Sequence, residues 1–347
     1  MRIAFLYDRG RPGSFVGKSH ELADTGGSEG SMVNYAYALA ELGHEVLIYI
    51  PGGPQHTYRG VEWRNIRARE RFKERFDVAI ALRFPQALRG MAAPVKALYC
   101  CDPAVPSLPE YVKSGDVQLV ITISECQKRR FQELHYISEE LYLVSSAGLN
   151  WADYARLDVP KKRGRCIYCS VPERGLDELV SIWPLIRREV PWATLHVTGN
   201  ISLWGLTPPP DQALLVDTVA HLPGVTYLGV LSRKDLIKEQ LESQVLLLPG
   251  NPKSPEMCCM SAMECAAARN ALVVTDLYAL VERVVPGLTG YIVPRGKRWQ
   301  SSFADVAVSL MTSTELSTMQ YRAQELERTH DYKVQAQQWI KRVEELV

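Results

Sequence analysis

The stretch Pro255-Glu256-Met257-Cys258-Cys259-Met260-Ser261-Ala262-Met263-Glu264, followed after an alanine-rich turn by Ala271-Leu272-Val273-Val274-Thr275, reads as a loop, a helix and a buried strand. It sets two carboxylates eight positions apart, Glu256 before the helix and Glu264 inside it. The N–H groups of a helix's first turn have no intrahelical acceptor, so they form a ready anion site. A carboxylate at that site can hold a sugar hydroxyl, and a second carboxylate two turns on can hold a ribose. The layout suits a nucleoside diphosphate sugar gripped without metal. Glutamates at this spacing are common on helices, so the surrounding chain decides.

Working outward, short apolar strands alternate with amphipathic helices. Strands are expected at 2–7, 45–50, 77–82, 95–100, 117–123 and 141–144, with helices over 29–42 and 124–134. The pattern restarts with strand 165–170, helix 175–188, strands 193–198 and 225–229, helix 232–242 and strand 244–248. It continues through the glutamate helix and strand 272–275 to terminal helices from Gln300 onward. Such alternation argues for parallel sheets covered on both faces. The break near 156–164 predicts an N-terminal Rossmann-like domain over 1–158 and a second over 159–330. A last helix over 331–347, with an apolar stripe of Tyr332, Trp339, Ile340, Val343 and Leu346, is expected to cross back onto the first. Facing domains of this kind place their strand C-termini around an interdomain cleft, where nucleotides bind.

Composition is that of a soluble globular chain of 347 residues, enough for two cores, and no apolar run is long enough to span a bilayer. The eight cysteines sit mostly in apolar segments, as reduced thiols in a cytoplasmic protein do. Cys166-Ile167-Tyr168-Cys169 has CxxC spacing, but a strand points those two cysteines to opposite faces, so core packing is expected over zinc or redox chemistry. The net charge of +1 predicts no bulk attraction to polyanions. The densest basic segment, Arg59 to Arg75, is interrupted by Glu62, Glu70 and Glu74. It reads as a solvated face, with contact to an anionic surface such as a lipid headgroup as the sharper alternative.

Two loops at expected strand ends carry chemistry. Asp24-Thr25-Gly26-Gly27-Ser28-Glu29-Gly30 opens a helix, where glycines allow close backbone approach to a phosphate; it is not a GxGxxG fingerprint. Ser170-Val171-Pro172-Glu173-Arg174-Gly175 joins a strand to a helix, and Arg174 there can fork onto a diphosphate or pair with a surface glutamate.

In this order the segments resemble the GT-B glycosyltransferases, in particular the large retaining group called family 4. The likeness rests on Gly26-Gly27, the helix end Ala40-Glu41-Leu42-Gly43-His44-Glu45-Val46, Ile123-Ser124-Glu125, and Gly148. It continues through Ser170–Asp177 with Trp183-Pro184, the EX7E pair Glu256 and Glu264, Ala279-Leu280-Val281-Glu282, and Gly287–Tyr291. The resemblance implies a UDP- or GDP-linked sugar as co-substrate, with no cofactor or metal. Glu256 would contact donor-sugar hydroxyls and Glu264 the ribose. The amides of Cys258, Cys259 and Met260, with Ser170 and Arg174, would face the diphosphate, as would Gly26 and Gly27 from the first domain. Gly229 and Leu231 would lie near the base. No Asp-x-Asp occurs, which disfavours metal-assisted departure of the leaving group. Where many relatives have a histidine, this chain has Cys100-Cys101-Asp102, leaving Asp102 or His20 to orient an acceptor. The acceptor class stays open among lipid, glycan, small molecule, protein and modified nucleobase. So do two alternatives, a nucleotide-sugar epimerase of the same fold and a binding protein without catalysis.

Overall fold

A computed structural model describes residues 1–8, 27–53, 55–68, 72–155, 159–204 and 206–347. The chain divides into two compact units, Met1–Leu149 with His330–Val347, and Asn150–Thr329.

The first unit is built on eight strands: β1 Arg2–Leu6, β2 Glu45–Ile50, β3 His56–Tyr58, β4 Val61–Asn65, β5 Val78–Leu82, β6 Val95–Cys100, β7 Leu119–Thr122 and β8 Tyr142–Val144. Their spatial order is β3-β4-β2-β1-β5-β6-β7-β8. All neighbours are parallel except the β3–β4 hairpin. Central strands such as Val78–Leu82 are buried throughout, because crossover helices cover both faces. Helices α1 Gly27–Glu41, α2 Leu108–Lys113 and α3 Glu125–His135 supply that cover. From β1 the chain moves to one side through β2 and then jumps to β5 on the other. The gap between β1 and β5 is therefore the sheet's topological switch point, where open α/β sheets bind ligands.

The second unit begins with α4 Trp151–Tyr154 and contains β9 Arg165–Cys169, α5 Leu176–Glu189, β10 Thr194–Thr198, α6 Pro210–Ala220, β11 Val225–Gly229 and α7 Arg233–Glu242. It continues with β12 Val245–Leu248, α8 Met260–Ala267, β13 Ala271–Thr275, β14 Gly290–Val293, α9 Trp299–Thr312 and α10 Leu316–Glu327. The sheet order is β11-β10-β9-β12-β13-β14, all parallel, so its switch point lies between β9 and β12. Its core gathers Ile167, Leu195, Leu246 and Val273 from the sheet with Leu179, Trp183, Ala262 and Phe303 from the helices.

The chain then returns to the first unit in α11 Tyr332–Glu344. Trp339 stacks on Tyr35 of α1 with ring centroids 4.1 Å apart, and its Nε1 donates to Ser145 Oγ at 2.7 Å. Tyr332 lies so close to Gly148 that a Cβ there would sit 2.3 Å from its ring, and Gly148 also has φ +77°; both facts demand glycine.

Two expectations need correction. The boundary falls at Leu149/Asn150, ahead of the expected residue 158, because α4 packs on α7 and α8 and its Tyr154 is fully buried there. The basic segment also contains an unexpected hairpin, β3–β4, in which Val61 and Trp63 turn inward while Glu62 and Arg64 face outward.

Candidate functional site

At the second sheet's switch point, β9 ends and the chain runs through a 3₁₀ turn, Pro172–Arg174, into α5. Gly175 joins them at φ +106°, and a Cβ there would meet Gly250 O at 2.5 Å, so glycine lets this turn lie against the loop that follows β12. Arg174 is thereby fixed. Its Nη1 donates to Ser254 O at 3.2 Å and to Pro255 O, and lies 3.3 Å from Glu256 Oε2. Arg295 braces the same loop, donating to Gly250 O at 3.1 Å while pairing with Glu178 at 2.6 Å. Arg174, Glu256, Gly250, Asn251 and Tyr278 line a concavity at these strand ends.

Glu256 Oε1 accepts from the N–H of Cys258 at 3.3 Å and of Cys259 at 2.9 Å. The nearest carboxylate thus occupies the positive end of α8. Two of the three amides expected to face a diphosphate are therefore turned to Glu256. Among the described residues, the N–H groups of Met260 and Ser261, the first residues of α8, have no partner. Ser170 follows β9, and its neighbour Cys169 accepts a hydrogen bond from Ser261 Oγ through its carbonyl. This links the β9 end to the α8 start.

Glu264 lies inside, with 7% of its surface exposed. Its Oε1 accepts from Arg233 Nη1 at 2.6 Å and its Oε2 from Gln240 Nε2 at 3.0 Å. Burial works against the Arg233 charge, but Glu264 and then Tyr154 outweigh it and raise the pKa. Gly229 ends β11; its carbonyl is taken by Thr198 Oγ1 at 2.7 Å and Gly199 N at 3.0 Å, and half-buried Leu231 follows two residues on.

The first unit's switch point holds a different cluster. Tyr7, just past β1, donates to Glu29 Oε1 at 2.9 Å. Arg83, just past β5 and at φ +64°, donates to the same oxygen at 3.2 Å and to Ser28 Oγ at 2.7 Å. Its Nε lies 3.3 Å from Asp102 Oδ1. A left-handed arginine at a strand end is strained backbone of the kind found at functional sites. Asp102 is further held through its carbonyl by Gln127 Nε2 at 2.7 Å. Gln127 also fastens the start of α3: the N-cap Ser124 Oγ accepts from its N–H at 2.9 Å, and its Oε1 takes the N–H of Ile123 at 2.8 Å. Burial raises the Asp102 carboxyl above the ordinary range, Arg83 pulls it back in part, and Glu29 raises it again. Burial likewise pushes the Cys101 thiol up to about 12, so it stays protonated. Tyr7 is raised too, by burial and then by Glu29.

Arg83 was not among the residues singled out from sequence. Its signal was a charged residue directly after the wholly apolar run Val78–Leu82 and ahead of Phe84-Pro85. Gly27 opens α1 and is exposed, whereas Gly26 and His20 lie outside the described residues. In the basic segment, Arg59 pairs with Glu41 at 2.8 Å, and Arg64 pairs with Glu62 at 2.8 Å and with Glu74. The CxxC cysteines do point apart: Cys166 meets Met311 Sδ at 3.4 Å, and Cys169 meets Cys265 Sγ at 3.4 Å. No helix among the described residues is long and apolar enough to cross a membrane.

Residues 164–313 match the family model described as glycosyl transferases group 1. The second unit carries a glycosyltransferase domain. No curated protein matches the chain. Among solved structures, a glycosyltransferase from Rickettsia africae ESF-5 is 16% identical, with a TM-score of 0.74 over 99% of this chain and 98% of its own. Sucrose-phosphate synthase from Thermosynechococcus elongatus is 15% identical, with a TM-score of 0.71 over 99% and 98%. Anabaena HepE, solved in complex with UDP and glucose, is 14% identical, with a TM-score of 0.72 over 99% and 100%. Identities this low speak to the fold, which is GT-B: two parallel-sheet, Rossmann-like α/β units.

Proposed function

We propose that the protein is a retaining, metal-independent glycosyltransferase of the family 4 type, moving a sugar from a UDP- or GDP-linked donor to an acceptor hydroxyl. The observation that carries this reading is the Arg174–Glu256 pair at the second switch point, set at the head of a helix whose first N–H groups lack partners. Anabaena HepE, of the same fold, is solved with UDP-glucose, which supports a nucleotide sugar as donor. Glu256 meets the sugar hydroxyls. As the bond from the anomeric carbon to the phosphate oxygen breaks, charge grows on the departing diphosphate, and Arg174 with the Met260 and Ser261 amides stabilises it. The acceptor oxygen bonds to the same face of the anomeric carbon, and its proton passes to the leaving phosphate oxygen. Asp102 accepts the hydrogen bond that orients that hydroxyl. Metal independence rests on the missing Asp-x-Asp. The eight free thiols support a reducing, cytoplasmic setting.

The test is a thermal-shift panel of nucleoside diphosphates and their sugars. A bound nucleotide at a hundred times its Kd stabilises the native state by about 2.7 kcal/mol. Glu256→Gln should keep the nucleotide-induced shift but lose transfer and donor hydrolysis. If no nucleotide raised the melting temperature, the reading would fall.

A further inference from the structure

Glu264 is buried at 7% exposure, and a polar side chain so placed needs hydrogen-bond donors to hold it. The donors here form a closed ring of four side chains. Arg233 Nη1 donates to Glu264 Oε1 at 2.6 Å, and Gln240 Nε2 donates to Glu264 Oε2 at 3.0 Å. Tyr154 OH donates to Gln240 Oε1 at 3.0 Å and accepts from Arg233 Nη2 at 2.9 Å. Each member touches two others, and they come from three elements, α4, α7 and α8. Tyr154 and Gln240 are fully buried, whereas 38% of the Arg233 side chain is exposed. The ring therefore has one solvent-facing side chain, at the first position of α7, four residues after Gly229.

The stoichiometry of the ring matters. A carboxylate has about four lone-pair sites on its two oxygens, and the ring uses one on each oxygen. One acceptor site per oxygen is left, on a carboxylate held at one oxygen by Arg233 and at the other by Gln240. Two acceptor sites on one carboxylate match two neighbouring hydroxyls, as on the 2′ and 3′ carbons of a ribose.

We propose that Arg233, through the ring it forms with Gln240 and Tyr154, is the positioning residue for Glu264 and gives the site its discrimination of ribose from 2′-deoxyribose in the donor nucleotide. This rests on the donor reading above. A ring that served only to hold α4 against α7 would affect stability without touching that ratio.

The experiment is titration calorimetry of the full chain with UDP and 2′-deoxy-UDP, and with GDP and 2′-deoxy-GDP. The native protein should prefer the ribonucleotide by about 10- to 100-fold, as expected for hydrogen bonds to a charged acceptor. Arg233→Gln should bring the two affinities within about threefold by weakening the ribonucleotide alone. Arg233→Lys keeps the charge but has no planar fork, so it should fail to restore the ratio. Tyr154→Phe, which removes one hydroxyl and keeps the ring packed, should lower the ratio by roughly threefold or more, and it decides the matter if Arg233→Gln does not fold. An unchanged ratio in folded Arg233→Gln or in Tyr154→Phe, or full rescue by lysine, would overturn the proposal. So would a native protein that binds both nucleotides of a pair equally, with the donor reading left standing. Binding of neither pair would defeat the donor reading itself.

Discussion

Both sheets end a strand beside the switch point with a guanidinium, yet Arg174 and Arg83 create opposite surroundings. In the second unit Arg174 stands over the carbonyls of Ser254 and Pro255, faces one carboxylate, and lies at the loop leading into the N-terminus of α8. In the first unit Arg83 faces two carboxylates, Glu29 and Asp102, with the Tyr7 hydroxyl turned toward Glu29. One backbone frame thus sets a guanidinium against a single carboxylate in one unit and between two in the other. The sheet decides where a charge sits; the few residues past each strand decide its sign.

The comparison breaks first at Arg174. Arg174→Met should lower kcat/KM by about 10²–10³-fold, as losing a donor aimed at developing charge does, with the melting temperature of the unliganded protein nearly kept. If activity survived, the second switch point would not be where charge develops.

Asp102→Asn should cost about 10²-fold in kcat, as losing a group that orients the attacking hydroxyl does. The pH dependence sharpens this. Because the folded carboxyl is raised, its charged form is the disfavoured one in the fold, and ionising it costs stability as pH rises above the unfolded value. In the role proposed for Asp102 the charged form is the working one, so the acid limb of kcat should lie above the ordinary carboxylate range and vanish in the asparagine variant. Thermal melts at neutral pH should show that variant no less stable than the native protein. A variant both inactive and less stable would recast Asp102 as a structural partner of Arg83.

A smaller effect is expected where only the frame is disturbed. Gly175→Ala would drive a Cβ against Gly250 O and force a left-handed φ, for about 1–3 kcal/mol of stability by denaturant unfolding. Its loss of activity should appear in kcat, because Arg174 moves with the turn. The smallest effect concerns charge outside both switch points. Arg59→Gln removes one ion pair and Arg64→Gln two, each pair worth about 0–1 kcal/mol, and cosedimentation with anionic lipid vesicles should hardly change. A large loss of vesicle binding would revive the hairpin as a docking face.

Most of the strand–helix order was legible because fully buried parallel strands such as Ala271–Thr275 are apolar without interruption. The β3–β4 hairpin was not, since His56–Tyr58 has no apolar run and its partner's inward residues are separated by charges. The unit boundary was misplaced for a related reason: α4 is one turn long, and only the burial of Tyr154 against α7 and α8 assigns it. At the site, the Glu256–Glu264 spacing could be read, but the partners of Glu264 could not. Arg233 and Gln240 lie 31 and 24 residues away along the chain, and the fold alone brings them to it. Nor could spacing reveal that Glu256 would take the Cys258 and Cys259 amides for itself.

The return of α11 has a consequence for biosynthesis. The second unit is one continuous insertion, whereas the first needs residues from both sides of it. Tyr35 emerges from the ribosome on the order of 15–60 s before its stacking partner Trp339 at ordinary elongation rates. Until then α1 lacks the aromatic cover that α11 provides. The unit made first is therefore the last to finish folding, and the inserted unit, already complete, matures ahead of it.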